Sequence, residues 1–130
     1  MNQNRRRFQR IFFSADAEIT GFFRLDAPYS RIAVAVITDL NAKGIGIRFH
    51  KDECPQLVSG DRLTILKITE PRLAFICGPE MKIRWVINHR SLEHMAMGCE
   101  FDGISPDFMR QIDELVKTWP SGKAETEKTE

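Results

Sequence analysis

Long apolar runs, paired cysteines and a surplus of either charge are all missing from this sequence. No window approaches the roughly 18 consecutive apolar residues of a membrane span, and no apolar stretch of signal-peptide type follows the basic start. The chain is therefore expected in the cytoplasm, without a membrane span. Its 3 cysteines, Cys54, Cys77 and Cys99, are odd in number and lack Cys-x-x-Cys spacing, which excludes a disulfide framework and a zinc site of the usual kind. His50, His89 and His94 share no ligand spacing and none sits near a credible nucleophile, so neither a metal site nor an enzyme is predicted. With 19 Lys and Arg against 18 Asp and Glu, the net charge of +1 gives no ground to expect a DNA or RNA partner.

What is present is enough apolar material for one domain, 42% of 130 residues, arranged at short period. From Ile11 the odd positions Phe13, Ala15, Ala17, Ile19, Gly21, Phe23 and Leu25, with Ser14, Asp16, Glu18 and Thr20 between them, predict one long strand. Arg31 to Thr38 is β-branched enough for a second. Further strands are expected over Ile45–Phe49, Arg62–Ile68, the stretch between Pro71 and Gly78, Met81–Ile87 and Met95–Phe101. Six or seven short strands with turn-length connections read as an antiparallel barrel or sandwich. The period then changes. Ser105 can cap, Pro106 suits the first helical position, and Phe108, Met109, Ile112, Leu115, Val116 and Trp119 form one stripe, the pattern of a helix that covers an open end or edge. Residues 1–10 read as a flexible basic arm, 11–119 as the folded unit and 120–130 as a disordered tail.

Two short segments carry chemistry together. Arg6-Arg7-Phe8-Gln9-Arg10 precedes the first strand, and Asp39-Leu40-Asn41-Ala42-Lys43-Gly44 follows the second. A spacing of four puts Arg6 and Arg10 on one side of the chain, extended or helical. A guanidinium fork can donate to O6 and N7 of guanine and can stack on its face. The opposite edge of guanine carries two donors, which a carboxylate such as Asp39 accepts in parallel. Asn41, two residues on, points the same way in an extended chain, and Gly44 offers permissive dihedrals and bare backbone for a close approach.

This pair of segments resembles the signature of the PilZ family, an Arg-x-x-x-Arg followed after two strands by Asp/Asn-x-Ser-x-x-Gly. Arg6 and Arg10 match the first part, and Asp39, Asn41 and Gly44 the second, with Asn41 standing where the family usually has Ser. The likeness spans residues 5 to 119. It implies an all-β fold, a six- to seven-stranded antiparallel PilZ-like barrel with a C-terminal α-helix. It further implies a non-catalytic receptor for cyclic di-GMP, with no other cofactor, in which the arm closes over the ligand and an unidentified downstream protein partner recognises the result. Arg5 and Arg7 would add charge near the phosphates, and Trp85 could stack on a guanine or serve as a core aromatic on the face of Ile83 and Ile87. A monomer or weak dimer is expected. Because some relatives have lost the motifs, a nucleotide-independent PilZ-like interaction module is the alternative.

Overall fold

The alternating stretches become strands wherever one face can be buried. The computed structural model describes residues 9–53, 56–88, 91–120 and 124–126, so Arg5, Arg6 and Arg7 lie outside the described residues. The strands are β1 (Ile11–Phe13), β2 (Thr20–Leu25), β3 (Arg31–Asn41), β4 (Gly44–His50), β5 (Arg62–Ile68), β6 (Glu80–Ile87), β7 (His94–Phe101) and β8 (Ala124–Thr126), with helix α1 (Pro106–Thr118) before the last. Six of them close an antiparallel ring in the order β2-β5-β6-β7-β4-β3, with β3 returning to β2. Closure leaves the inward residues, among them Phe23, Ile37, Ile47, Phe49, Ile65 and Met97, in one buried core. Each such side chain contributes about 1.5–3 kcal/mol on leaving water.

The long first strand expected over Ile11–Leu25 is two strands. Ala15–Ala17 forms a 3₁₀ turn closed by the Ala17 N–H on the Ser14 carbonyl at 3.0 Å, and Glu18 follows with φ 44. Ala15 and Ala17 keep the alternation, but neither supplies the β-branching that favours a strand, and Ala17 is exposed. The turn lets β3 be shared along one edge: its first part, Arg31–Val36, pairs with β2, while Asp39 and Leu40 pair with β1.

The strand expected between Pro71 and Gly78 is also absent, and Pro71–Ile76 is a 3₁₀ helix. Pro71 sits at its start, and the Glu70 side chain caps it by accepting the Arg72 N–H at 2.9 Å. A proline there fits a helical first turn better than a ladder that needs its N–H. Within the tail expected to be disordered, Ala124–Thr126 pairs with β1, covering the edge of β1 that β3 leaves open.

The final helix falls where its stripe puts it. Ser105 Oγ accepts the Phe108 N–H at 3.1 Å, Ile112 and Val116 are buried, and Phe108 meets Phe101 edge-on at 6.0 Å. Trp119 packs against Phe13 of β1 at 5.3 Å, with the Arg72 guanidinium 4.1 Å above its ring.

Candidate functional site

The site grows out of a row of residues that runs across the outer surface of the barrel. Register aligns Phe12 of β1 with Asp39 of β3, Asp39 with Gly46 of β4, Gly46 with Gly98 of β7, and Gly98 with Trp85 of β6. The two middle positions have no side chain, so the row is a shallow trough into which Asp39 leans from one side, over Gly46, and Trp85 from the other, over Gly98. A cleft of about 190 Å³ occupies it, lined among others by Arg10, Asp39, Asn41, Gly44 and Trp85.

Irregularities in two strands aim these two side chains. The register of β3 against β4 shifts between Ile37 and Asp39, so Thr38 is an extra residue and both Thr38 and Asp39 face outward, half-buried. On the far side, β6 shifts against β7 between Ile83 and Trp85, and both Arg84 and Trp85 are turned to the surface. This second bulge is pinned from the neighbouring loop: the Gly60 N–H donates to the Ile83 carbonyl at 2.7 Å, and the Ser59 hydroxyl to the Arg84 carbonyl at 3.0 Å. Trp85 is in consequence 48% exposed and does not share the buried face of Ile83, which overturns its reading as a core aromatic.

The structure brings the two halves of the sequence signature into contact. Arg10 Nη1 donates to Asp39 Oδ1 at 2.6 Å, with the side chains 33% and 16% exposed. The Thr38 hydroxyl donates to the other Asp39 oxygen at 2.9 Å and so fixes the carboxylate plane. Asn41 is placed in the same cleft, but its Oδ1 accepts the N–H groups of Lys43 at 2.9 Å and Gly44 at 3.0 Å, tying the side chain to the β3–β4 turn. A serine hydroxyl can accept in the same way, which gives a physical reason for either residue at that position.

Gly44 is needed for a different reason from the one its sequence context suggests. It is not among the positive-φ glycines, Gly60, Gly78 and Gly103. A Cβ there would run into the Cys99 carbonyl and come to 3.0 Å from Glu100 Cα, so the missing side chain admits the β7 backbone. Beyond the predicted set, Thr38, Lys43, Arg84, Gly46 and Gly98 belong to the site by position. Glycines inside alternating runs, Ile45-Gly46-Ile47 and Met97-Gly98-Cys99, were the available signal, since such glycines mark close approaches.

Charge in the cleft is mixed with a cationic excess: Arg10, Lys43 and Arg84 against Asp39 and Glu100. Arg84 Nε lies 3.3 Å from Glu100 Oε1 across β6 and β7. Beneath the floor, burial above all, and then the Asp39 charge, push the Cys99 thiol up to about 12, which leaves it inert as a nucleophile at neutral pH. Among the described residues no group of three or more His, Cys, Asp or Glu could hold a metal ion. His50 and His94 do face each other across β4 and β7, with ring centroids 5.2 Å apart.

No protein-family profile matches the sequence, and no curated protein matches it by sequence. Solved structures do match the fold. The PilZ domain of YcgR from Escherichia coli, determined with c-di-GMP, superposes with a TM-score of 0.63 at 16% identity, covering 88% of this chain and 91% of that one. MrkH from K. pneumonia gives 0.59 at 16% identity, and the Bacillus subtilis inhibitor of motility MotI gives 0.55 at 15%. In each of these two the match covers 50% of the neighbour, so this chain corresponds to about half of either protein. The fold is thus that of PilZ domains, a closed six-stranded antiparallel barrel with added edge strands and a C-terminal helix. Among the described residues no helix is long and apolar enough to cross a membrane.

Proposed function

We propose that the chain is a cyclic di-GMP receptor that catalyses nothing and converts ligand binding into a changed surface for a downstream protein partner, with an output of the motility, exopolysaccharide or virulence kind. The observation that carries this reading is the meeting of Arg10 and Asp39 at the mouth of a cleft on a PilZ barrel. A guanidinium and a carboxylate side by side can address the two edges of one guanine: the fork donates to O6 and N7, the carboxylate accepts from N1–H and the exocyclic amine. The exposed face of Trp85 across the trough offers a stacking surface.

The cleft, at about 190 Å³, is smaller than the roughly 300–1,000 Å³ of sites that enclose a ligand. It therefore receives one base, and the rest of a dinucleotide lies over open surface. There Lys43 and Arg84, with Arg5, Arg6 and Arg7 of the arm, would meet the phosphates. Neutralising four arginines within six residues, Arg5 to Arg10, would order the arm and supply the changed surface. The free thiols Cys77 and Cys99 support a reducing, cytoplasmic setting. We read the protein as a monomer or weak dimer.

Calorimetric titration of the full chain with cyclic di-GMP, beside Arg10→Ala and Asp39→Ala, tests the site. Saturable heat from the unaltered chain and large losses in both variants are expected; no heat, or equal affinity in all three proteins, refutes the reading. The second reading, an interaction module independent of nucleotide, draws support from how fully the site satisfies itself: Arg10 and Thr38 occupy Asp39, and the β3–β4 turn occupies Asn41. The same titration separates the two.

A further inference from the structure

We propose that Gly46 and Gly98 are positioning residues of the nucleotide site, keeping empty the space into which Asp39 and Trp85 lean. The inference rests on the cyclic di-GMP reading and extends it to two residues outside both sequence motifs. Glycine inside a strand weakens it, and neither Gly46 nor Gly98 is among the positive-φ glycines, so the backbone conformation gives no cause for either. The cause lies in their neighbours. A Cβ on Gly46 would stand 2.8 Å from Asp39 Cγ and from Thr38 Oγ1, with Asp39 Oδ2 closer still. One on Gly98 would stand 2.7 Å from Trp85 Cζ2, with Nε1 and Cε2 closer still.

What is displaced decides the outcome. At Gly44 the obstruction is the backbone of β7, which cannot yield without loss of the ladder, whereas at Gly46 and Gly98 it is side chains that can swing away. Alanine at either position therefore leaves the barrel folded and moves the side chain that leans over it. At Gly46 it pushes the carboxylate off the Arg10 and Thr38 partners that set its direction. At Gly98 it lifts the indole off the floor. A purine edge and a purine face are read at fixed places, so either movement misaligns the ligand.

The test is titration of the full-length chain and its Gly46→Ala and Gly98→Ala variants with cyclic di-GMP, with thermal unfolding to show that each variant is folded. Affinity is expected to fall by about tenfold or more in each. A second readout needs no ligand. In a Trp119→Phe background, where Trp85 is the remaining tryptophan, Gly98→Ala should shift the emission to the red and Gly46→Ala should not. Unfolding cycles add a third: the stability cost of Gly98→Ala should shrink in a Trp85→Ala background, and that of Gly46→Ala in an Asp39→Ala background. Unchanged affinity in both glycine variants, or costs that persist undiminished in those backgrounds, overturns the inference while the receptor reading stands. Absence of binding by the unaltered chain sinks both.

Discussion

The strength of the Arg10–Asp39 contact can be measured before any ligand is added. The contact is charge-assisted at 2.6 Å, but Arg10 is a third exposed, so it lies between fully exposed pairs at about 0.2–1 kcal/mol and hydrogen bonds to charged groups at about 1.5–3 kcal/mol. Discounted for solvent screening, a coupling of about 1 kcal/mol is expected from the double-mutant cycle of Arg10→Ala and Asp39→Ala in urea unfolding. For a domain of this size it corresponds to about 3–5 °C in Tm. The two single variants should differ. Asp39→Ala removes the half-buried charge itself, whereas Arg10→Ala leaves that carboxylate, 16% exposed, beside the Thr38 hydroxyl, so the second costs more. Raising salt from about 0.1 M to about 1 M shortens the screening length from about 10 Å to about 3 Å and should reduce the coupling. The same quantity has a functional meaning: a ligand that takes Asp39 from Arg10 gives up that coupling, about a fivefold reduction in affinity. Additivity within about 0.3 kcal/mol would show that the contact is not formed in the free protein, and the preformed site would go with it.

Three further outcomes follow from particular atoms. Gly44→Ala should destabilise the chain by about 1–3 kcal/mol in urea unfolding, because its Cβ meets the Cys99 carbonyl in the β4–β7 ladder; a change under about 0.5 kcal/mol would contradict that packing. Hydrogen bonds from the Arg72 side chain first, and then its backbone N–H, hold the Glu70 carboxyl below its ordinary range. A lowered folded pKa stabilises in full above the unfolded value of about 4.3 and is lost as pH falls through the folded one, so Glu70→Gln should flatten that part of the acid limb. Trp119 emission, beneath Arg72, should lose the matching transition, and an unaltered acid limb would count against the cap. Cys99, with its thiol pushed up to about 12, should resist iodoacetamide at pH 8 until the chain unfolds, and prompt alkylation of Cys99 itself in the folded protein, read by peptide mass, would show that the floor of the trough is open.

Sequence periodicity located β3, β4, β5, β6, β7 and α1 because each has a buried face whose apolar residues repeat at the period of the element. It failed where short 3₁₀ segments keep an apolar pattern of strand type. Ala15 and Ala17 continue an alternation that the chain abandons, and Leu73 and Ile76, buried from a 3₁₀ helix, mimic a strand. Site legibility divides the same way. Arg10 and Asp39 are legible as candidates for one site only through the joint occurrence of their two segments, in order and flanked by strands, since neither segment suffices alone. Trp85 could not be placed, because the bulge that turns it outward is a two-against-one mismatch with β7 and leaves no mark in β6 itself. The trough needed the register: Gly46 and Gly98 are 52 residues apart in sequence and adjacent only through the β4–β7 ladder.

The geometry around Arg10 depends on a strand of three residues. β1 is short, and ordering its backbone costs about 1–2 kcal/mol per residue, while full burial of Ile11 returns about 1.5–3 kcal/mol. The remainder has to come from Phe13 against Trp119 and from ladders to β3 and β8. Arg10, one residue before β1, is therefore placed beside Asp39 by a segment whose own stability is small, and Ile11 is its main anchor. Ile11→Ala should cost about 2–4 kcal/mol of stability and also weaken cyclic di-GMP binding about tenfold, although Ile11 does not line the cleft. In an Arg10→Ala background the binding loss should largely vanish, because the anchor acts through the guanidinium it holds. Titration of the folded Ile11→Ala chain decides the matter: affinity equal to that of the unaltered protein would mean that ligand recruits Arg10 without help from β1.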